Sequence, residues 1–294
     1  MGLASLKRTR MRRVVNSTRG ASLNSFSRIV PTVACASSVP IVSPKLTLTF
    51  DPWQKAEAYL NAGFWFHSND ARGTTIRVDP ADGVSRVDRV TPLARSRGAE
   101  LGVRTATIPG LVATVSAWAL DLDSELVFVG DAGGTEASGR SRRYGIEWAN
   151  FYRVAQWCAL DADAALTHAR YRDDAGGGTR VANSIATVVT GGVVLGTTDG
   201  WFGSTHLRYY GPQPLLEDNS IRAPSSLMYN AKLGWRSQSW QVTLDLLNLF
   251  DRRNYDIAYA YTSRLPGEPA GGVDDLHFHP AEPRTARLSV SRKF

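Results

Sequence analysis

An all-β fold made of long antiparallel strands is predicted for residues 45–294. Apolar and polar residues alternate there with period two, many alternating segments reach ten residues, and short connections alternate with long ones. This alternation is typical of strands whose two faces meet different surroundings. About eleven strands are indicated, at 45–51, 57–67, 94–106, 111–123, 141–153, 158–172, 184–197, 201–210, 226–236, 240–250 and 284–294.

Each predicted strand carries one apolar and one polar face. In 94–106, for example, Leu101 and Val103 alternate with Glu100 and Arg104. A soluble sheet wetted on one side would show the same alternation. Strand length favours a membrane barrel, because about nine to eleven tilted residues cross a bilayer core. Aromatic residues near strand ends, typical of an interfacial girdle, favour it as well: Trp53, Trp157, Trp201, Trp235 and Trp240.

The connections predict which ends of the strands face which side of a membrane. Outer-membrane barrels have short turns at the periplasmic rim and longer loops at the extracellular rim. The short connections are 52–56, 107–110, 154–157, 198–200 and 237–239, and the long ones are 68–93, 124–140, 173–183, 211–225 and 251–283. The layout therefore predicts an antiparallel transmembrane β-barrel. No apolar run of 18 residues suggests a transmembrane helix.

The first 44 residues differ from the rest in charge. They hold seven basic residues and no acid, whereas residues from 45 onward hold 27 of each sign. The net charge of +7 therefore does not indicate a nucleic-acid partner. No apolar core of a signal peptide follows the basic start. We predict a non-native or disordered segment at 1–44, with a transit peptide as the alternative, and a barrel region at 45–294.

Two C-terminal motifs carry a family resemblance. Residues 242–255 read V-T-L-D-L-L-N-L-F-D-R-R-N-Y, an alternating strand followed by Asn-Leu-Phe-Asp and a nearby Tyr. The chain ends P-R-T-A-R-L-S-V-S-R-K-F, a strand with a terminal aromatic residue. Residues 63–73 and 209–220 add loop signatures. Over about 45–294 the chain resembles the TonB-dependent outer-membrane receptors.

The resemblance implies a fold, a function and partners. Family members enclose a plug in a barrel of about 22 strands, so eleven strands imply a partial barrel, its C-terminal half. The expected function is that of a fragment of a receptor for a scarce nutrient such as a ferric siderophore, without transport on its own. The alternative is a standalone structural or adhesive outer-membrane β-protein. Neither enzymatic activity nor a cofactor is expected.

The expected location is the outer membrane of a Gram-negative bacterium. The expected partners are outer-membrane lipid and the barrel assembly machinery, which would recognise the C-terminal strand through Phe294. An inner-membrane energy-coupling protein is a partner of intact members only.

Candidate ligand contacts are polar-face or loop residues. His67, His206 and Arg208 fall on the polar face and could line a lumen, and His277 and His279 lie in the last long connection. For those last two, a solvated loop is the competing interpretation.

Two aspartate pairs, at 121/123 and 161/163, resemble catalytic carboxylates. We predict instead that they are wall residues on the lumen side, with Trp118 on the apolar side. No Ser/His/Asp pattern, phosphate loop or metal-ligand spacing appears in the sequence.

Overall fold

The computed structural model describes residues 28–29, 41–68, 74–78, 83–88, 91–129, 134–173 and 177–293. Apart from a helical turn at Thr74 and Thr75, regular structure in these ranges is β-strand. Most of the predicted disordered segment and Phe294 lie outside the described residues. Two described pieces of that segment pair with each other, at Arg28–Ile29 and Ile41–Val42. No helix found in the described ranges has the length and apolarity needed to cross a membrane.

The strands in chain order are β1 (Arg28–Ile29), β2 (Ile41–Val42), β3 (Lys45–Trp53), β4 (Ala56–Ser68), β5 (Leu93–Thr105), β6 (Leu111–Leu122), β7 (Glu125–Val129), β8 (Gly134–Ser138), β9 (Ser141–Ala155), β10 (Cys158–Tyr171), β11 (Thr187–Gly196), β12 (Gly200–Tyr210), β13 (Gln213–Pro214), β14 (Arg222–Ala223), β15 (Ser226–Arg236), β16 (Trp240–Leu247), β17 (Tyr255–Ser263), β18 (Val273–Pro280) and β19 (Thr285–Arg292). Eleven of them form a single antiparallel sheet, here called the wall, in the order β3-β4-β5-β6-β9-β10-β11-β12-β15-β16-β19. Every neighbour in the wall is the next wall strand along the chain, which confirms the eleven predicted strands and their antiparallel order.

The two faces of the wall differ in chemistry. Leu101, Ile146 and Leu166 lie in one cross-strand row with Ala117 between the first two. These three large side chains are 61%, 54% and 57% exposed. The face that carries them is called the outer face, and the opposite one the inner face. Because these large apolar side chains project from the sheet with more than half of their surface exposed, the wall has the inverted polarity of a protein whose apolar side is covered by lipid.

The strand predicted at 111–123 is present as β6, but the predicted assignment of its two faces was wrong. Val115 pairs with Val103 and Trp148, which places Val115 on the outer face. By alternation Asp121 also lies on the outer face, while Trp118 lies opposite Glu100 on the inner face. Apolar residues occupy both phases of β6, so periodicity within that strand could not identify its outer face. The neighbouring strands determine it through register.

Three long connections contain hairpins of their own: β7–β8, β13–β14 and β17–β18. The predicted loops at 124–140, 211–225 and 251–283 are therefore partly ordered strands. At the opposite end of the wall the turns are short, as predicted. The five tryptophans of the predicted girdle all lie at that end, and all are at least 39% exposed. Two of them, Trp201 and Trp235, are cross-strand neighbours.

Candidate functional site

The Asn-Leu-Phe-Asp motif holds the last long connection in place. Asn248 adopts a left-handed backbone (φ 47°), which ends β16, and its side chain is almost completely buried. Its amide donates to the carbonyls of Arg252 (2.9 Å) and Glu282 (3.1 Å), and its carbonyl accepts from the Arg252 N–H (2.9 Å). One side chain therefore ties together both ends of the connection that carries β17 and β18.

Two further polar residues of the motif region extend this anchor. Asn254 reaches β15, where its amide donates to the Leu227 carbonyl at 2.8 Å and its oxygen accepts from the Leu227 N–H at 3.1 Å. The carboxylate of Asp251 accepts from the Arg284 N–H at 3.2 Å. The β17–β18 hairpin is thus fixed against the rim of the wall by residues that the sequence places within seven positions of one another.

A cavity of about 1400 Å³ lies between this connection and the inner face of the wall. On the wall side it is lined by Asp161, His206 and Arg208, and on the connection side by Arg252 and His279. One cross-strand row supplies much of the wall side, running Asp161, Gly192, His206 and Asn230. The Asn230 oxygen accepts from the Asn248 N–H at 2.9 Å, so the row is bonded to the anchor described above.

Gly192 leaves room for the two ionisable side chains that flank it. A Cβ at this position would lie 2.6 Å from Asp161 Oδ1 and 2.6 Å from His206 Nδ1. Any other residue would have to displace both of these groups, because real Cβ contacts are not that short. The absence of a side chain therefore sets the separation of the carboxylate and the imidazole across β11.

Aromatic stacking shapes the hairpin side of the cavity. Tyr255 stacks on Phe278 at 4.0 Å, and Tyr261 stacks on His277 at 3.8 Å. His279 projects with its Nδ1 3.8 Å from Asp256 Oδ2, and both side chains are largely exposed. His277 and His279 therefore have different surroundings although they share one face of β18. The first is held against a ring, and the second is open at the cavity.

The structure brings together three of the five predicted ligand contacts. His206, Arg208 and His279 line the cavity. His67 lies on the inner face of β4 opposite Ala94, at a different part of the wall, and His277 is stacked on Tyr261. Phe294 lies outside the described residues. That these residues contact a ligand stays a prediction.

The aspartate pairs have different outcomes. Asp163 lies on the inner face as predicted and accepts hydrogen bonds from the Asn150 N–H (3.2 Å) and the Thr190 hydroxyl (3.3 Å) of neighbouring strands. Asp121, predicted on the lumen side, instead lies on the outer face between Arg97 and Arg142. Among the described residues, no three His, Cys, Asp or Glu side chains form a group that could hold a metal ion.

The sequence interpretation missed Asn248, Asn254 and Gly192 as site residues. The motif that contains Asn248 and Asn254 was recognised, but its hydrogen bonds run to residues up to 34 positions away. For Gly192, a glycine pair within a predicted strand was the available signal, because such glycines often mark a close approach of other groups.

Comparison with known proteins gives the affiliation. The family model described as "TonB dependent receptor-like, beta-barrel" matches residues 13–249, more than half of the chain. The chain belongs to this TonB-dependent receptor family. The match starts inside the basic segment, and the proposed boundary at residue 44 stays a prediction.

Solved receptors of this family share the fold. The ferric yersiniabactin uptake receptor FyuA from Yersinia pestis matches with a TM-score of 0.66 at 17% identity, over 88% of this chain and 38% of its own. The ferric-catecholate import receptor Fiu from E. coli K12 matches with a TM-score of 0.62 at 17% identity, over 90% of this chain and 36% of its own. The siderophore receptor PiuA from Acinetobacter baumannii matches with a TM-score of 0.63 at 14% identity, over 90% of this chain and 38% of its own. The chain thus spans less than two fifths of the length of these TonB-dependent receptors.

Proposed function

We propose that this chain is part of the barrel wall of an outer-membrane TonB-dependent receptor for a scarce nutrient such as a ferric siderophore. The observation that carries the proposal is the inverted wall with a large cavity on its inner face, lined in part by charged side chains, beneath an anchored β17–β18 hairpin. Similar solved receptors are described as importing ferric catecholates and ferric yersiniabactin. His206, Arg208 and His279 are the proposed ligand contacts, and lipid is the proposed partner of the outer face.

The dimensions of the outer face support a membrane location. On β9 the outer face runs from Tyr144 to Val154, a span of about 34 Å at ~3.4 Å per residue. A strand tilt of about 40° reduces this to roughly 26 Å, close to the apolar band of about 25 Å in outer-membrane barrels. Trp157, just beyond Val154, is 57% exposed and suits an interfacial position.

Strand parity supports the proposal that the wall is incomplete as a barrel. In an antiparallel sheet of eleven strands, the two edge strands, β3 and β19, run in the same direction. They cannot pair antiparallel with each other, and a second copy inserted in the same orientation would meet the same obstacle. Antiparallel closure needs an odd number of additional strands, and barrels of about 22 strands would supply eleven. We therefore propose that transport, and contact with the inner-membrane energy-coupling protein, need the remainder of such a receptor.

Two measurements on the full chain test this function. The first is uptake of a radiolabelled ferric catecholate complex by a receptor-deficient host that expresses the chain, and we expect the empty-vector background. The second is binding of the same complex to chain refolded in phosphatidylcholine vesicles, followed by quenching of tryptophan fluorescence. We expect the double variant H206A/R208A to bind at least tenfold more weakly, since charge-assisted hydrogen bonds contribute about 1.5–3 kcal/mol each.

Arg104→Gln is the matched control, because Arg104 lies on the same inner face near the short turns and outside the cavity. Uptake above background would show that the chain transports alone. If H206A/R208A and R104Q bound the ferric catecholate complex equally well, the cavity would not be the ligand site. Folding of the chain as a soluble monomer without detergent or lipid would contradict the membrane assignment itself.

A further inference from the structure

Two rows of arginines lie at the long-loop end of the outer face, one within the wall strands and one mostly just beyond their ends. One row runs Arg97, Asp121, Arg142 and Arg170 over β5, β6, β9 and β10. The next row towards the loops holds Arg95 and Asp123, whose backbones are hydrogen-bonded, and Arg140 and Arg172, whose backbones are also hydrogen-bonded. Together these eight residues are called the arginine rows.

Arginines face each other directly within these rows. Arg142 is the cross-strand partner of Arg170, and Arg140 lies beside Arg172. The backbones of Arg170 and Arg180 form an isolated antiparallel β-bridge. Cβ atoms of directly opposed residues are about 5 Å apart, and like charges at that separation destabilise a sheet. An anion bound beside these like charges would offset their repulsion.

The carboxylates nearby account for only some of this charge. Asp121 is shared between Arg97 (3.1 Å) and Arg142 (2.7 Å), and Asp173 binds Arg140 at 2.8 Å. Within the described ranges, Arg95, Arg170 and Arg172 form no ion pair with a carboxylate. Six arginines of the rows face Asp121, Asp123 and Asp173, which leaves an excess of three positive charges.

The level of the rows on the outer face identifies the kind of anion. One row further from the loops, Tyr144 stacks on His168 at 5.0 Å, a pair of amphipathic rings suited to a membrane interface. Beyond them come the exposed Ile146 and Leu166. A guanidinium just outside an aromatic ring pair lies where lipid headgroups lie, and its planar fork matches the geometry of phosphate.

We propose that the arginine rows bind the phosphate groups of anionic lipid headgroups in the outer leaflet. The inference rests on the proposed function, because it needs the outer face to lie in a membrane. It adds a specific site to a surface that would otherwise take any lipid.

The test uses the full chain in neutral detergent micelles, with retained lipid measured by native mass spectrometry. The probes are phosphatidic acid, which carries a phosphate monoester, and phosphatidylcholine, which has no net charge. We expect a preference for phosphatidic acid on the order of a hundredfold, from basic residues acting together near a membrane surface. The variant R95Q/R170Q/R172Q, which leaves the ion pairs of Asp121 and Asp173 in place, should lose tenfold or more of this preference.

Two matched variants separate phosphate recognition from general charge. R104Q/R153Q/R287Q removes three arginines from the inner face and should keep the preference. R95K/R170K/R172K keeps the charge but loses the planar fork, and it should lose part of the preference. If the triple glutamine variant does not refold, the single variants R95Q and R172Q, at exposed positions, test the lipid preference instead. Equal effects of the outer-face and inner-face variants would overturn the proposal.

The remaining outcomes concern the source of the phosphate and the membrane itself. Displacement of phosphatidic acid by an equal concentration of inorganic phosphate would show a free-anion site and overturn the lipid assignment. A wild-type chain that enters phosphatidylcholine vesicles but shows no lipid preference would contradict the arginine-row proposal alone. A chain that folds as a soluble monomer without detergent or lipid would contradict the proposed function as well.

Discussion

Asn248→Ala should detach the β17–β18 hairpin and destabilise the whole sheet. The change removes three side-chain hydrogen bonds, to the Arg252 carbonyl, the Glu282 carbonyl and the Arg252 N–H. At about 1 kcal/mol each, their loss costs roughly 3 kcal/mol. Alanine is also disfavoured in the left-handed conformation that Asn248 adopts, by about 1 kcal/mol more. The expected loss in the free energy of unfolding is therefore roughly 4 kcal/mol.

The assay is urea unfolding of the full chain in detergent micelles, followed by tryptophan fluorescence. With a slope of about 2 kcal/mol per molar urea, the midpoint should fall by roughly 2 M. Asn248→Gly separates the two contributions, because glycine adopts the left-handed conformation without strain and should recover about 1 kcal/mol. Trypsin should cleave both variants faster than wild type at Arg252 and Arg253, since the connection is no longer tied at its ends.

Asn150→Ala serves as the control, because Asn150 is a half-buried asparagine that does not anchor a connection. Its amide makes one hydrogen bond, to the Ala162 carbonyl at 3.2 Å. We expect a change within about 1 kcal/mol and wild-type cleavage at Arg252. An Asn248→Ala chain as stable as Asn150→Ala, with the same cleavage pattern, would refute the anchoring role.

Three further predictions test the two faces and the rim. Gly192→Ala should weaken ferric catecholate binding severalfold, because its Cβ would crowd Asp161 and His206. Gly191→Ala should not weaken binding, because its Cβ would meet only an ordinary contact at 3.5 Å. Equal affinities of the two variants would contradict this prediction. Leu101→Arg on the outer face should lower the free energy of unfolding in lipid by about 2–4 kcal/mol, whereas Ala165→Arg on the inner face should change it little; reversal of that order would mean that the faces are misassigned. At the rim, the Arg140 guanidinium holds the pKa of Asp173 below its ordinary value. The ion pair should therefore persist at neutral pH and be lost only as pH falls through that lowered pKa. In an NMR titration, Arg140→Gln should raise the pKa of Asp173 relative to wild type. An unchanged pKa would exclude the contact in solution.

The wall could be predicted from sequence because each strand carries its own evidence. Period-two alternation is local, and all eleven predicted strands are present. Strand ends were less accurate where the backbone changes direction. The prediction of 240–250 ran past Leu247 because Leu249 and Phe250 continue the apolar pattern, whereas Asn248 turns the chain out of the sheet.

The site could be predicted only in part, because its geometry depends on pairing between strands. Alternation was enough to place His206 and Arg208 on the inner face. It could not show that Gly192 would lie between Asp161 and His206, since that follows from the registers of β10, β11 and β12. Nor could it show that both ends of a long connection meet at Asn248.

The register of β6 explains why the arginine rows were not visible in the sequence. Taken alone, β6 offers Trp118, Leu120 and Leu122 as its apolar face, which would put Asp121 towards a lumen. Pairing with β5 and β9 reverses that assignment, and Asp121 becomes the one carboxylate between Arg97 and Arg142 on the outer face.

Once that row is in place, the outer face has two chemically different rims. Exposed tryptophans lie at the short turns, and arginines with too few carboxylates lie at the long connections. In the proposed membrane location, a band bounded in this way would favour one orientation, with its guanidinium groups in the leaflet that supplies the most phosphate.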